Sequence, residues 1–243
     1  MLITSKDNAR IKYARKLLNK RDSISEGLFL IEGENLIDEA IKNNLLTELF
    51  VLENVKNKYN FECNYVSIDV MKSMSSLSST PRMIGISKFI NKTELGKRIV
   101  LLDEVQDPGN AGTIIRNCVA FGIDTIVFSK NSVSPYNEKV LRSTGGMIYN
   151  INIIIDDLDK IITKIKELNI MIYGTSLKSS ISLEKVEKKS EFAIIFGNEG
   201  NGVKEKYLNL CDKIIRIDMD NKCESLNVGV SNGIILYQMY RGR

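Results

Sequence analysis

From Ile99 to the C-terminus the chain alternates short apolar runs with amphipathic segments, and this constrains its fold more than any other feature. IVLLDE (99–104), TIVFS, INIII, IMIYGT, FAIIFG and KIIRI are continuous apolar runs, rich in Ile and Val and too short for helices, so they read as strands. AGTIIRNCVAFG (111–122), NEKVLRSTGG, DLDKIITKIKEL, VKEKYLNL and the closing LNVGVSNGIILYQMYR lie between or after them and read as helices. Strands without polar alternation are buried on both faces, and helical crossovers are what parallel pairing needs. The expected fold class is therefore α/β, with a mostly parallel sheet covered on both faces. Residues 23–90 differ in kind. LFLIEG, ELFVL and MIGISKF read as strands, ENLIDEAIKNN as a helix, and Ser-rich KSMSSLSSTPR as loop or short helix. The expected organisation is a first domain over 1–90, a polar linker NKTELGKR over 91–98 and a second domain over 99–243. No internal repeat is visible.

The chain contains no histidine, which removes Ser-His-Asp, Cys-His and His-metal chemistry together. Its four cysteines, at 63, 118, 211 and 223, form no CxxC pair, so free thiols are expected rather than a metal site, with Cys118 packed inside a helix. Any catalysis must come from Arg, Lys, Glu, Asp, Asn, Ser or a cofactor. No stretch is apolar enough to span a bilayer, and the start lacks the apolar core of a signal peptide, so a cytoplasmic protein without membrane contact is expected.

Net charge is only +4, but it is unevenly placed. Within residues 1–22, Lys6, Arg10, Lys12, Arg15, Lys16, Lys20 and Arg21 stand against Asp7 and Asp22, a net +5. Ile11, Ala14, Leu17 and Leu18 recur at helical spacing, with Ser5 or Asp7 as N-cap. The segment reads as an amphipathic helix with a basic outer face. That face is either solvated surface or a nucleic-acid contact through Arg10, Lys12, Arg15 and Lys16.

Ligands of parallel sheets bind at the carboxyl ends of the strands. Three such ends are unusual here: DEVQDPGNAGTIIRN, FGNEGNGV and DMDNKCESLN. The first is not a GxGxxG turn, which argues against an ordinary dinucleotide site. Glycine in the first two lets backbone approach a ligand closely, and Asn, Glu and Ser offer hydrogen bonds.

At these loops the sequence resembles the SpoU/TrmH family of SPOUT methyltransferases, over residues 99–243. LLDEVQDPGNAGTIIRNCVAFG is similar to the family's first motif, IIFGNEGNGV to its Gly-Asn-Glu-Gly loop, and IRIDMDNKCESLNVGVSNGIILYQ to its Ser-Leu-Asn motif with the closing helix. The part from FLIEGENLIDEAIKNN through STPRMIGI is similar to the L30-like substrate-binding domain of rRNA-directed members. The resemblance implies S-adenosylmethionine-dependent methylation of an RNA ribose 2′-hydroxyl, without a metal. The N-terminal domain favours 23S rRNA; a tRNA substrate, or a non-catalytic RNA-binding protein with this fold, are the alternatives. It also implies a deep trefoil knot formed by the loops at 197–203 and 218–227, and a homodimer with Ile234, Leu236 and Tyr237 as interface candidates.

Carried over by motif position, Asn110, Arg116, Glu199, Ser225 and Asn227 form the expected catalytic set. Arg116 would bind the reacting nucleotide and stabilise a developing alkoxide. Glu199 would orient Arg116 or relay a proton, and Asn110 and Asn227 would fix these side chains. Ser225 would contact RNA or cofactor, or cap the last helix. Gly197, Ile217, Leu226 and Thr175 are the expected cofactor contacts. The chain departs from the family at Asp218, where many relatives carry proline.

Overall fold

The structure is a computed structural model that describes residues 2–76, 79–90, 93–178, 180–187 and 189–240. In chain order its elements are β1 (Leu2–Ile3), α1 (Ala9–Lys16), α2 (Lys20–Glu26), β2 (Leu28–Glu32), α3 (Glu34–Lys42), β3 (Leu46–Leu52), β4 (Asn64–Val66), α4 (Ile68–Ser73) and β5 (Met83–Lys88). They continue with β6 (Arg98–Leu102), α5 (Pro108–Ala120), β7 (Thr125–Ser129), α6 (Glu138–Thr144), β8 (Asn152–Asp156), α7 (Leu158–Glu167), β9 (Met171–Thr175) and β10 (Ile181–Ser182). The chain closes with β11 (Phe192–Phe196), α8 (Glu205–Leu208), β12 (Lys213–Arg216) and α9 (Val228–Tyr240). It divides into two units, residues 1–90 with 136–149, and residues 91–135 with 150–243.

The first unit is built on a five-stranded mixed sheet in the order β1-β4-β3-β5-β2. Ile11, Ala14 and Leu17 of the first helical segment are buried against Phe50, Val66, Val70, Met71 and Ile84. Leu18, expected on the same apolar face, lies beyond the end of α1 and is exposed. The cap of α1 is Asn8, whose side chain accepts the Arg10 N–H at 2.9 Å, rather than Ser5 or Asp7. Ser5 instead accepts the Asp7 N–H, forming the turn before the helix.

NEKVLRSTGG lies within the stretch 99–243 in sequence, but as α6 it packs in the first unit, against β2. Two tyrosines bracket the segment and account for this. Tyr136 stacks on Phe89 with centroids 4.1 Å apart, and both Tyr136 and Tyr149 meet the buried Phe29. Gly145 and Gly146, at φ 59° and 92°, turn the chain back, and a side chain at 146 would meet the Asn35 carbonyl at 2.9 Å.

The second unit holds a seven-stranded sheet in the order β10-β12-β9-β11-β6-β7-β8, and every neighbouring pair is parallel. Ile99, Leu101, Val127, Ile172 and Ile195 pack with Leu158, Ile161, Ile162 and Ile165 of α7 on one face. The alternate residues Val100, Leu102, Ile126, Phe128 and Ile194 are also buried, so both faces are covered, as the unbroken apolar runs require. The α/β class read from the sequence is thus the observed one. From β6 the chain proceeds to β7 and β8 on one side, then to β9, β11 and β12 on the other. The carboxyl ends of β6 and β11 therefore meet where the strand order reverses, the place where open α/β sheets bind ligands.

Candidate active site

Three loops converge at those strand ends, and a chain of amides joins them. The Glu199 carboxylate, in the loop after β11, accepts the Gln106 N–H at 3.1 Å, the Asp107 N–H at 3.0 Å and Asn110 Nδ2 at 3.0 Å. Asn110 Oδ1 in turn accepts Asn227 Nδ2 at 2.8 Å. Asn227 Oδ1 accepts the N–H groups of Gly229 and Val230 at 2.9 and 3.2 Å, so Asn227 caps α9. This cap position belongs to Asn227 and not to Ser225, which lies two residues too early to reach those amides. Asp107 caps α5 in the same way, through the Asn110 N–H at 2.7 Å, with Pro108 at the first helical position.

The loop after β11 is also fixed from below. Asp103, 1% exposed, accepts the Lys204 N–H at 2.8 Å, and Lys204 Nζ bonds Glu104. Burial pushes the Asp103 carboxyl up, and the Lys204 N–H and ammonium offset part of that rise. Glu104 sits at φ 58°, an uncommon conformation for a residue with a side chain. It is held there from several sides: its N–H donates to Ser129 Oγ at 2.9 Å, its carbonyl accepts Asn198 Nδ2 at 2.9 Å, and its carboxylate takes Asn131. Asn198 and Gly202 close the loop with paired backbone bonds of 3.1 and 2.9 Å.

Asn110, Glu199 and Asn227 are thus brought together, but the expected pairing of Glu199 with Arg116 is not made. Glu199 is filled by the N–H groups before α5 and by Asn110. Arg116, six residues further along α5, is exposed and has no ion pair or hydrogen bond among the described residues. Burial pushes the Glu199 carboxyl up, but Asn110 and the N–H groups of Asp107 and Gln106 outweigh it and hold it below its ordinary value. It is therefore charged at neutral pH. Its contribution to stability is present above its unfolded-state pKa and is lost as pH falls through the lower folded one. The side chain of Ser225 is likewise exposed.

The four expected cofactor residues lie at neighbouring positions: Thr175 ends β9, Gly197 follows β11, Ile217 follows β12, and Leu226 precedes α9. Ile217 and Leu226 are half-buried, and their backbone N–H groups have no hydrogen-bond partner among the described residues. Apolar surface with unused backbone donors beside it is what an adenine ring needs, so the chemistry of these residues fits an adenosyl cofactor. Asp218, next in the chain after Ile217, is tied back: the Ser182 hydroxyl and the Arg216 guanidinium, whose Nε is 2.9 Å away, hold its carboxyl below the ordinary range. Among the described residues no group of three or more Cys, Asp and Glu is placed to hold a metal ion, and no helix is long and apolar enough to cross a membrane.

In the first unit the basic face of α1 is largely neutralised from within. Arg10 Nη1 bonds Asn64 at 2.9 Å and Glu48 at 3.3 Å, Lys12 pairs Asp7 at 2.9 Å, and Lys16 pairs Glu26 at 2.9 Å and Asp22 at 3.7 Å. Arg15, Lys20 and Arg21 are exposed and have no ion pair among the described residues. Of the four expected RNA contacts only Arg15 is therefore free. Lys20 and Arg21 join it, since the sequence alone does not reveal which cations have partners.

Residues 97–237 match the model of the SpoU rRNA Methylase family, more than half of the chain and all three loops. This chain belongs to the SpoU rRNA methylase family. Residues 8–85 match the MRM3-like substrate binding domain, where the sequence resembled an L30-like one. The family member is 31% identical over 244 residues to the 23S rRNA (guanosine(2553)-2′-O)-methyltransferase RlmP of Bacillus subtilis (strain 168), covering 98% of each chain. A crystal structure described as an RNA 2′-O ribose methyltransferase superposes with a TM-score of 0.84 at 25% identity, covering 99% of this chain and 98% of that one. The AdoMet-bound rRNA methyltransferase from Sinorhizobium meliloti gives a TM-score of 0.88 at 23% identity, over 100% and 98% of the two chains, a likeness of fold.

Proposed function

We propose that this SpoU family member transfers the methyl group of S-adenosylmethionine to a ribose 2′-hydroxyl of 23S rRNA. The observation that carries this reading is the Glu199–Asn110–Asn227 chain, which locks three loops at the strand ends and leaves Arg116 unpaired on the same helix as Asn110. The cofactor, when bound, supplies a methyl group already made electrophilic by its sulfonium. What remains for the protein is to hold the ribose oxygen in line and to stabilise the charge that develops on it. Arg116 is suited to that: a guanidinium remains charged, is a poor base, and donates in a planar fork to phosphate or alkoxide oxygens. Glu199 acts as the anchor of the α5 N-terminus and not as a proton carrier, because its oxygens are taken. Ser225 offers the exposed hydroxyl of the third loop to the nucleotide. Thr175, Gly197, Ile217 and Leu226 hold the cofactor.

A homodimer fits this reading. Val230, Ile234 and Tyr237 are exposed along one face of α9, whereas Leu236 is buried within its own chain and is no interface residue. The loops at 197–203 and 218–227 are assigned to a trefoil knot, and the enzyme to the cytoplasm. The test of function uses 23S rRNA from a strain lacking the gene, with methyl-labelled S-adenosylmethionine and a chelator. Label is expected in alkali-stable dinucleotides, undiminished by the chelator. Label in methylated bases, or transfer that needs added metal, contradicts the reading.

RNA capture is assigned to Arg15 of α1 and Lys20 and Arg21 of α2, exposed helix cations without an ion pair among the described residues. Each phosphate contact adds roughly 0.7 to 0.9 to the slope of log affinity against log salt. Replacing all three with Gln is expected to lower that slope by about 2 to 3 and to leave cofactor binding unchanged. Replacing Arg10, Lys12 and Lys16 instead is expected to change it by less than one contact. Equal effects of the two triple variants in a filter-binding salt series would remove the distinction.

A further inference from the structure

The contact between α5 and α9 contains a polar pair that the reaction does not use. Asn117 lies seven residues beyond Asn110, two turns along the same face of α5. Its Nδ2 donates to the Gly229 carbonyl at 3.0 Å and to Asn232 Oδ1 at 3.1 Å. Asn232 is fully buried, and its own Nδ2 has no hydrogen-bond partner among the described residues. Glycines at 229 and 233 let the helices approach. A Cβ at 229 would stand 3.2 Å from Thr113, and one at 233 would stand 3.1 Å from Asn117 Nδ2.

A buried amide with an unmet donor weakens a helix contact, and an apolar side chain of similar size would serve stability as well or better. What the pair supplies is register. Asn117 can satisfy both acceptors only when α9 sits at one height and rotation on α5. Two turns back along α5, that same setting places Asn227 against Asn110. We propose that Asn117 and Asn232 are positioning residues, which set the register of α9 on α5 and thereby hold Asn227 against Asn110 in the assembled site. This rests on the reading of that site as a methyl-transfer centre.

The test compares wild type with N117L/N232L, alone and in an Asn227→Ala background, using S-adenosylmethionine and 23S rRNA from a strain lacking the gene. N117L/N232L is expected to keep or raise the melting temperature. Its kcat should fall about tenfold or more, while Kd for S-adenosylmethionine changes by less than about threefold. In the Asn227→Ala background the same two changes should lower kcat little further, since the residue they act through is already gone. Unchanged kcat, or losses that multiply independently, overturns the proposal. If N117L/N232L does not fold, Asn232→Ala, which removes only one acceptor, is held to the same kcat and Kd outcomes. If wild type methylates no ribose, the functional reading fails on its own, and register is read from hydrogen exchange. The Gly229 and Val230 amides, capped by Asn227, should then exchange faster in N117L/N232L, and equal rates overturn the proposal.

Discussion

Replacing Arg116 with Ala is expected to lower methyl transfer by about 100- to 1000-fold, the usual effect of removing one preorganised donor from a site of developing negative charge. The structure sharpens this expectation in two ways. Arg116 is exposed and has no partner among the described residues, so its removal breaks no internal bond, and the variant should melt like wild type. It also makes no hydrogen bond to Thr175, Gly197, Ile217 or Leu226 among the described residues, so calorimetric affinity for S-adenosylmethionine should be preserved. Arg116→Lys should rescue only part of the rate, because an ammonium cannot reproduce the planar fork. Near-wild-type single-turnover rates in Arg116→Ala would remove the residue from the chemistry.

Gly197→Ala should act on the cofactor. A Cβ there would stand 1.9 Å from the Gly202 carbonyl carbon, 2.1 Å from Val203 N and 2.2 Å from Gly202 O. All three are backbone atoms of the loop that Asn198 and Gly202 close, so nothing flexible can yield, and the loop must open. Opening it strains Asn198 away from Glu104, and Glu199 away from Gln106, Asp107 and Asn110. Overpacking of this kind costs about 1–3 kcal/mol. Because 1.4 kcal/mol is tenfold in affinity, cofactor binding should weaken by about 10- to 100-fold. Gly200→Ala is the control: its Cβ would meet Asn198 Oδ1 at 3.5 Å, an ordinary contact, and calorimetry should find little change. Equal affinities for the two variants would show that the closed loop does not shape the cofactor site.

Much of this arrangement was legible in the sequence, and the parts that were not share a cause. Six strands of the second unit could be read because each carries an unbroken apolar run, whereas β10, only Ile181 and Ser182, is too short to give one; the three loops could be read because their Gly, Asn and Glu residues stand at strand ends. The excursion of residues 136–149 into the first unit could not. It depends on Tyr136 and Tyr149 finding Phe29, and periodicity says nothing about so distant a partner. The caps were misplaced for a related reason. Ser5, Asp7 and Asn8 all have capping side chains, as do Ser225 and Asn227, and only the backbone path decides which one faces the free amides. Which cations have partners is not legible where the partner is remote, as with Glu48 for Arg10. The same limit governed Glu199. Its side chain is filled by the amides before α5, and the tie to Arg116 that the motif suggested is replaced by an anchoring role.

Mapping 2′-O-methylation across rRNA and tRNA from a deletion strain decides whether this chain methylates a ribose of 23S rRNA. A single 23S ribose methylation should be absent from the deletion strain, restored by the wild-type gene and not restored by Arg116→Ala. An unchanged 23S profile, or a ribose methylation lost from tRNA instead, would contradict the account.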